Sequence, residues 1–379
     1  MSILLLIIVL AVLILAHEFG HFIVAKKAGI KVEEFGLGFP PRIWGWKYGE
    51  TTYSFNWIPF GGFVKILGEN PDEEQKTEIT SDSRSFQNKP RSIQALVLAA
   101  GVTFNVLLAW LLLVVGLSIG LPSSIANAPA GYTVSNPQLL ITDTLAKSPA
   151  ALAGLKSGMI ILYVERDGVS RINQPDAKSL REFIGTSVGQ TLTLGIKGDF
   201  KDESSGDALK QFKEIKVKPI TGLVSDQAAI GISMDTIGIL KLPFSLAFVE
   251  AAKLTLALIV NIALALKGIL VGIFMGQTTV LSSVAGPVGL VTIVGSSFAL
   301  GFPYLLNLVA VISINLAVIN VLPFPALDGG RLLVLLIETI GRRPLNSRLV
   351  NAVNTVGFVL LIILMILVTY KDIARLVTS

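Results

Sequence analysis

Residues 3–16 read ILLLIIVLAVLILA without one polar side chain, and the apolar run continues past a short polar motif to Val24 and Ala25. A bilayer core takes about 20 apolar residues as helix, so 3–25 is long enough to span it. No basic segment precedes the run and no small-residue cleavage site precedes its polar motif, so it reads as a retained helix rather than a signal peptide. Clear apolar runs recur at 95–117, 302–325 and 349–370, the second of these three broken near its end by Pro323 and Pro325. Only 15% of the 379 residues are charged, against about 25% in a soluble domain. The chain is expected to be a multi-pass α-helical membrane protein with about four transmembrane helices. Residues 245–274 are a further apolar stretch, interrupted by Glu250, Lys253, Asn261 and Lys267. That pattern fits a span or an amphipathic helix lying along the interface.

Two polar segments divide these runs. Residues 26–91 carry ten Lys/Arg and nine Asp/Glu. Within them, Thr51–Leu67 is aromatic and β-rich with a Pro-Phe-Gly-Gly break, which predicts a membrane-associated β-hairpin. Residues 122–243 alternate apolar runs (160–164, 191–196, 215–217) with Gly, Pro and Asp breaks, which predicts a small β-rich domain with one or two helices. Lys26, Lys27 and Lys31 after the first span put that end in the cytoplasm. The second span then returns, leaving 122–243 extracytoplasmic. The Arg342–Arg348 cluster is cytoplasmic too if 302–325 runs inward, which requires 245–274 not to cross. The net charge of +5 is explained by these membrane flanks; no basic-aromatic patch points to nucleic acid.

His17-Glu18-Phe19-Gly20-His21 is an H-E-x-x-H motif. On a helix, residues four apart share one face about 6 Å apart along the axis. Two imidazoles so placed can share a zinc ion, with the intervening Glu18 as general base toward a water whose pKa the metal lowers to about 7. These are the only two histidines of the chain, and both sit inside an apolar helix, where ionisable groups are expensive and usually functional. Catalytic zinc usually takes three protein ligands and leaves one position open. With no third histidine and no cysteine, the third ligand is Asp or Glu, barring a carbonyl or amide oxygen. Outside the two polar segments the acids are Glu18, Glu250, Asp328, Glu338 and Asp372. Asp328 follows the proline-broken end of 302–325, and it reaches the depth of His17 and His21 only if that span runs inward. Asp372 lies at the far end of the last span. The competing reading of Asp328 is a turn or helix cap in Asp-Gly-Gly.

HEFGHF at 17–22, Gly101-x-x-x-Asn105 and the Asn320…Leu327-Asp328-Gly329 segment together resemble the site-2 protease (M50-type) family, specifically RseP-like regulated intramembrane zinc metalloproteases of bacteria. The resemblance covers nearly the whole chain. It implies zinc bound by His17, His21 and Asp328, with Glu18 as general base. It further implies that Asn315 and Asn320 hold substrate backbone near the metal. For these the alternative is polar helix–helix contact, and Asn105 is open to both a substrate role and packing. Thr51–Leu67 looks like the family's membrane-reentrant hairpin. Ser148-Pro149-Ala150 with Ala153-Gly154-Leu155 and the Gly158–Leu162 run looks like the core of a single PDZ-like α+β domain, with Met159 where an acid is usual. The expected divisions are 1–121 (first span, hairpin 51–67, second span), 122–222 (PDZ-like), 223–300 (linker and interfacial amphipathic helix) and 301–379 (third and fourth spans). The implied activity is intramembrane hydrolysis of single-span membrane proteins, of the anti-sigma-factor or remnant-signal-peptide type. The PDZ-like domain either takes a peptide C-terminus or acts as a size filter. The implied location is the inner or plasma membrane, with the active site near the cytoplasmic face. Competing functions are an intramembrane metal-ion transporter, which usually shows an inverted repeat that is not seen here, and an inactive membrane PDZ scaffold.

Overall fold

The computed structural model describes residues 1–69, 82–145, 147–166, 168–198, 212–224, 227–276, 286–343 and 345–378. The chain divides into two compact units, Met1–Ser118 with Pro243–Ser379, and Ile119–Leu242.

The first unit is built on helices. Its elements are α1 (Ser2–Lys27), the sheet strands β1 (Val32–Tyr48) and β2 (Thr51–Ile66), and α2 (Arg91–Ile119). After the second unit come α5 (Phe244–Phe274), α6 (Pro287–Leu300), α7 (Phe302–Val321), α8 (Asp328–Gly341) and α9 (Ser347–Thr378). Among the described residues, five helices, α1, α2, α5, α7 and α9, are long and apolar enough to cross a membrane. The sequence predicts about four, and the additional one is α5, which it places at the interface. Large apolar side chains of α1, α5 and α9 face outward uncovered, among them Ile8, Leu256, Val260 and Leu364; uniformly apolar helices with bare flanks are suited to lipid. Leu6, Val9 and Leu13 of α1 pack with Val294 of α6 and Leu305 and Val309 of α7.

The small sheet differs from the predicted hairpin. Its tight turn is at Gly49–Glu50, so Tyr48 faces Thr51 and Trp44 faces Phe55. Phe35 and Gly36 pair on one side with Tyr53 and Ser54, and on the other with Val64 and Phe63. The segments before and after the Pro-Phe-Gly-Gly break therefore do not pair with each other. They flank Val32–Leu37, and among the described residues Gly62–Ile66 forms an outer edge. The break is a crossover between two positions in the sheet rather than the turn of a hairpin.

The second unit contains a seven-stranded antiparallel sheet. The strands are β3 (Leu121–Ser124), β4 (Ser135–Thr144), β5 (Ile160–Arg166), β6 (Ser170–Asn173), β7 (Leu192–Lys197), β8 (Phe212–Val217) and β11 (Ile232–Leu240), in the order β3-β11-β4-β5-β7-β8 with β6 beside β5. A separate ribbon pairs β9 (Ile220–Val224) with β10 (Gln227–Ala229). Two helices, α3 (Pro149–Leu152) and α4 (Ala177–Gly185), are started by side-chain caps. Ser148 Oγ accepts from the Ala151 N–H at 3.2 Å, and Asp176 Oδ1 from the Ser179 N–H at 2.6 Å. Each satisfies an orphan donor of a first turn. Ile141, Val164, Leu180, Leu194 and Ile196 close the core. Because β11 lies between β3 and β4, the unit runs to Leu242, past the boundary at 222 drawn from sequence.

Candidate metal centre

Three elements of the first unit converge on one point. His17 and His21 lie one turn apart on α1. Helix α2 comes close enough to α1 that a Cβ on Gly20 would fall 2.8 Å from the carbonyl carbon of Ala100. A Cβ on Gly101 would fall 2.7–2.8 Å from the His17 ring. Glycine at both positions is therefore what allows the imidazoles to be walled by backbone. Asp328 arrives from the C-terminal region. Helix α7 ends at Val321, the chain reverses through Pro323–Leu327 with Ala326 at φ +71°, and α8 begins at Asp328. Gly329 and Gly330 lie directly under the carbonyls of Val321, Leu322 and Phe324, where no Cβ fits.

The three potential ligand atoms form a nearly equilateral triangle. His17 Nε2 is 3.3 Å from His21 Nε2 and 3.0 Å from Asp328 Oδ2, and His21 Nε2 is 3.4 Å from the same oxygen. A tetrahedral zinc with bonds of about 2.0–2.2 Å spaces its ligand atoms ~3.3–3.6 Å apart, so one ion fits the triangle. The protonation pattern agrees. His21 Nδ1 donates to the Val97 carbonyl at 2.8 Å, which leaves the lone pair on Nε2, the atom facing the triangle. Asp328 Oδ2 is buried, and no donor other than the two imidazoles reaches it. A buried carboxylate facing two imidazole nitrogens is unfavourable unless a proton or a metal cation stands between them. Among the described residues, this is the group whose ligand atoms could hold a metal. Asp328 is not a side-chain cap, because the N-cap of α8 is Leu327 and no side chain caps that turn.

Around the triangle, Asn105 of α2 is fully buried with its side-chain amide 3.3 Å from His17 Nδ1. Its Oδ1 has no partner. The two amide atoms are interchangeable by a flip, and in the flipped state Oδ1 accepts from His17 Nδ1–H and directs the Nε2 lone pair inward. Asn105 thus orients a ring, as outer partners of metal sites commonly do. The substrate contact expected of it is not available to a residue so enclosed. Ser313 of α7 donates to the Asn105 carbonyl at 2.7 Å and ties the third helix to this pair. Asn315 donates to the Val311 carbonyl of its own helix at 3.0 Å, and so is held by α7. Asn320 stands half-buried in the last turn of α7 before the break, without a side-chain hydrogen bond among the described residues. Glu18 points toward the small sheet, where a Cβ on Gly62 would lie 3.4 Å from its Cγ. The edge segment Gly62–Ile66 therefore begins beside Glu18.

Sequence reasoning missed a second layer. Glu69, just after that segment, forms an ion pair with Arg331, one turn beyond Asp328 on α8. Burial raises the Glu69 carboxyl above the ordinary carboxylate range even with the Arg331 guanidinium beside it. An arginine three residues after a candidate ligand was the available signal for one partner. Nothing set Glu69 apart from the other acids of its polar segment.

Comparison with known proteins shows what the chain is similar to. The sequence profile of peptidase family M50 matches residues 5–364. A provisionally named zinc metalloprotease of Clostridium perfringens is 36% identical over 362 residues, covering 95% of each chain. The zinc metalloprotease RasP of Geobacillus kaustophilus is 27% identical over 449 aligned positions, covering 99% of this chain and 98% of that one. The chloroplastic membrane metalloprotease ARASP of Arabidopsis thaliana is 29% identical over 371 residues, covering 96% of this chain and 77% of its own.

Proposed function

We propose, for a chain that belongs to peptidase family M50 and is a zinc metalloprotease, that it hydrolyses peptide bonds within or near the transmembrane segments of single-span membrane proteins, with His17, His21 and Asp328 holding the metal. The observation that carries this reading is the triangle of two imidazole nitrogens and an orphan carboxylate oxygen set on membrane-type helices. Zinc bound there supplies a carbonyl-polarising Lewis acid and a nucleophilic water at neutral pH. Glu18 takes the proton of the attacking water and delivers it to the departing amine. Asn320, whose amide is uncommitted, donates to the developing oxyanion. A substrate helix hides its peptide groups, because each is paired internally. It must therefore unwind, and the outer edge Gly62–Ile66 offers backbone groups with which an extended segment can pair by β-augmentation, beside Glu18.

The site lies near the cytoplasmic face in this reading, and the Ile119–Leu242 unit, PDZ-like in sequence, is extracytoplasmic. Lys26, Lys27 and Lys31 follow the histidine end of α1. Helix α7 supports the same sense. It begins next to α6, whose Gly295 lies against Ser2 at the opposite end of α1, and it ends at the metal triangle. Helix α2 also finishes at the Ser2 end, because its early residues Val97–Asn105 contact His17 and His21. Any crossing by α5 then requires a return before α7. Helix α6, with 14 residues, spans only about 21 Å of a core about 30 Å thick. An interfacial α5 satisfies that parity.

The test is cleavage of a single-span substrate by purified protein in liposomes. Glu18→Gln should retain zinc and lose cleavage, and removal of zinc from the wild type should also abolish cleavage. Equal cleavage by Glu18→Gln would sink the reading. A metal-ion transporter would instead load zinc into the vesicles and leave the substrate intact.

A further inference from the structure

Two groups of residues must meet for hydrolysis: the edge segment Gly62–Ile66 that would present substrate, and the start of α8 that carries Asp328. Their apolar side chains share one cluster, which includes Val64 and Ile66 of the sheet and Leu332 and Leu335 of α8. Such packing is non-directional and sets no register along the strand. Among the described residues, no backbone hydrogen bond joins β2 to α8. A directional link is the Glu69–Arg331 ion pair. Glu69 ends the turn that follows the edge segment, and its side chain is 13% exposed. Arg331 stands one helical turn from Asp328, and a guanidinium holds a carboxylate in a fixed plane.

We infer that Glu69 and Arg331 are positioning residues for hydrolysis, a strut that sets the edge segment's register against Asp328 and Glu18. The inference rests on the reading of that segment as the substrate's docking strand. A contrast lies on the same helix: Glu338 pairs with Arg91 at 2.9 Å toward the other end of α8, where Arg91 is 43% exposed. That pair ties α8 to α2 and touches neither the strand nor the metal ligands.

The test uses the full chain in liposomes with a single-span substrate, reading kcat, KM and zinc per chain. Glu69→Gln and Arg331→Gln are each expected to lower kcat by up to about 100-fold, the order that a small misplacement of substrate costs, with zinc unchanged. The double variant should be no worse than the poorer single one, because the same interaction is lost once. Glu338→Gln should keep wild-type kcat. Wild-type kcat in the singles, additive losses, zinc lost in parallel with kcat, or an equal loss in Glu338→Gln would each overturn the strut. If the glutamine variants fail to fold, Arg331→Lys keeps the charge and removes the fork; it is expected to lower kcat in folded protein, and wild-type kcat there would overturn the inference. Glu18→Gln separates this failure from that of the proposed function. An inactive Glu18→Gln beside a fully active Glu69→Gln removes the strut alone, whereas an active Glu18→Gln removes the reading on which it rests.

Discussion

Two aspartates in the membrane-type unit, both largely buried and both at the start of a helix, do different chemistry. Asp372, on α9, accepts the Gly289 N–H of the first turn of α6 at 2.8 Å. It satisfies a donor that a helix start otherwise leaves orphaned. Asp328 is itself the first residue of α8, yet it caps nothing. Its Oδ2 is met by no donor other than the two imidazole nitrogens it faces. An acid in an apolar helix is usually taken as functional, but the pair shows that burial and residue type do not make that assignment. What separates a ligand from a cap is whether the carboxylate oxygen is already answered by a proton donor.

The largest expected effect breaks the comparison directly. Asp328→Asn should empty the site of zinc and abolish cleavage, while Asp372→Asn should leave zinc stoichiometry and cleavage at wild type. Metal analysis of the two purified proteins decides it. Equal zinc content in both would remove Asp328 as a ligand.

Gly101→Ala should come next. Its methyl would enter the space of the His17 and His21 rings, and rigid imidazoles cannot give way as a flexible chain end would. Loss of at least about tenfold in zinc affinity is expected, comparable to or worse than disturbing a ligand's outer partner. A competition titration against a chelator reads it, and wild-type affinity would mean that α1 and α2 separate freely. Asn105→Ala probes the same face more gently. Without an acceptor for Nδ1–H, the His17 ring can turn, and zinc affinity should fall within about 10- to 100-fold. A loss of substrate affinity with zinc unchanged would restore the substrate contact that the buried position argues against.

The candidate ligand set is legible in the sequence because the relevant signals are local or scarce. Two histidines at helical spacing, no cysteine, and few acids outside the polar segments leave little choice. The sheet was less legible. Gly36, Gly38, Pro40, Pro41 and Gly45 interrupt Val32–Tyr48 and disguise it as loop, so the Pro-Phe-Gly-Gly break after Thr51 resembles a turn in the sequence although it is a crossover. Strand β11 joins β4 across about ninety residues, a pairing that no local pattern announces. Glu69 and Arg331 were hidden for the same reason, since a salt bridge across 262 residues leaves no spacing to recognise. Helix α5 shows the opposite difficulty: length and apolar content allow a span, and only the parity of the surrounding helices argues against it.

The smallest expected effect sharpens the comparison from the Asp372 side. Asp372→Ala deletes the acceptor and leaves the Gly289 N–H unpaired inside the bundle. Loss of a capping acceptor costs about 1 kcal/mol, so the melting midpoint should fall by a few degrees with zinc per chain unchanged. Asp372→Asn keeps an oxygen at the same place and should recover most of that loss, because its amide oxygen can still accept the N–H. The recovery is the informative part. At Asp328 the same change to Asn leaves a poor ligand where a charged one is needed, so Asn substitutes for a cap and fails as a metal ligand. If Asp372→Asn instead destabilised the fold as much as Asp372→Ala, charge rather than hydrogen bonding would hold α6, and the two aspartates would be more alike than their geometry indicates.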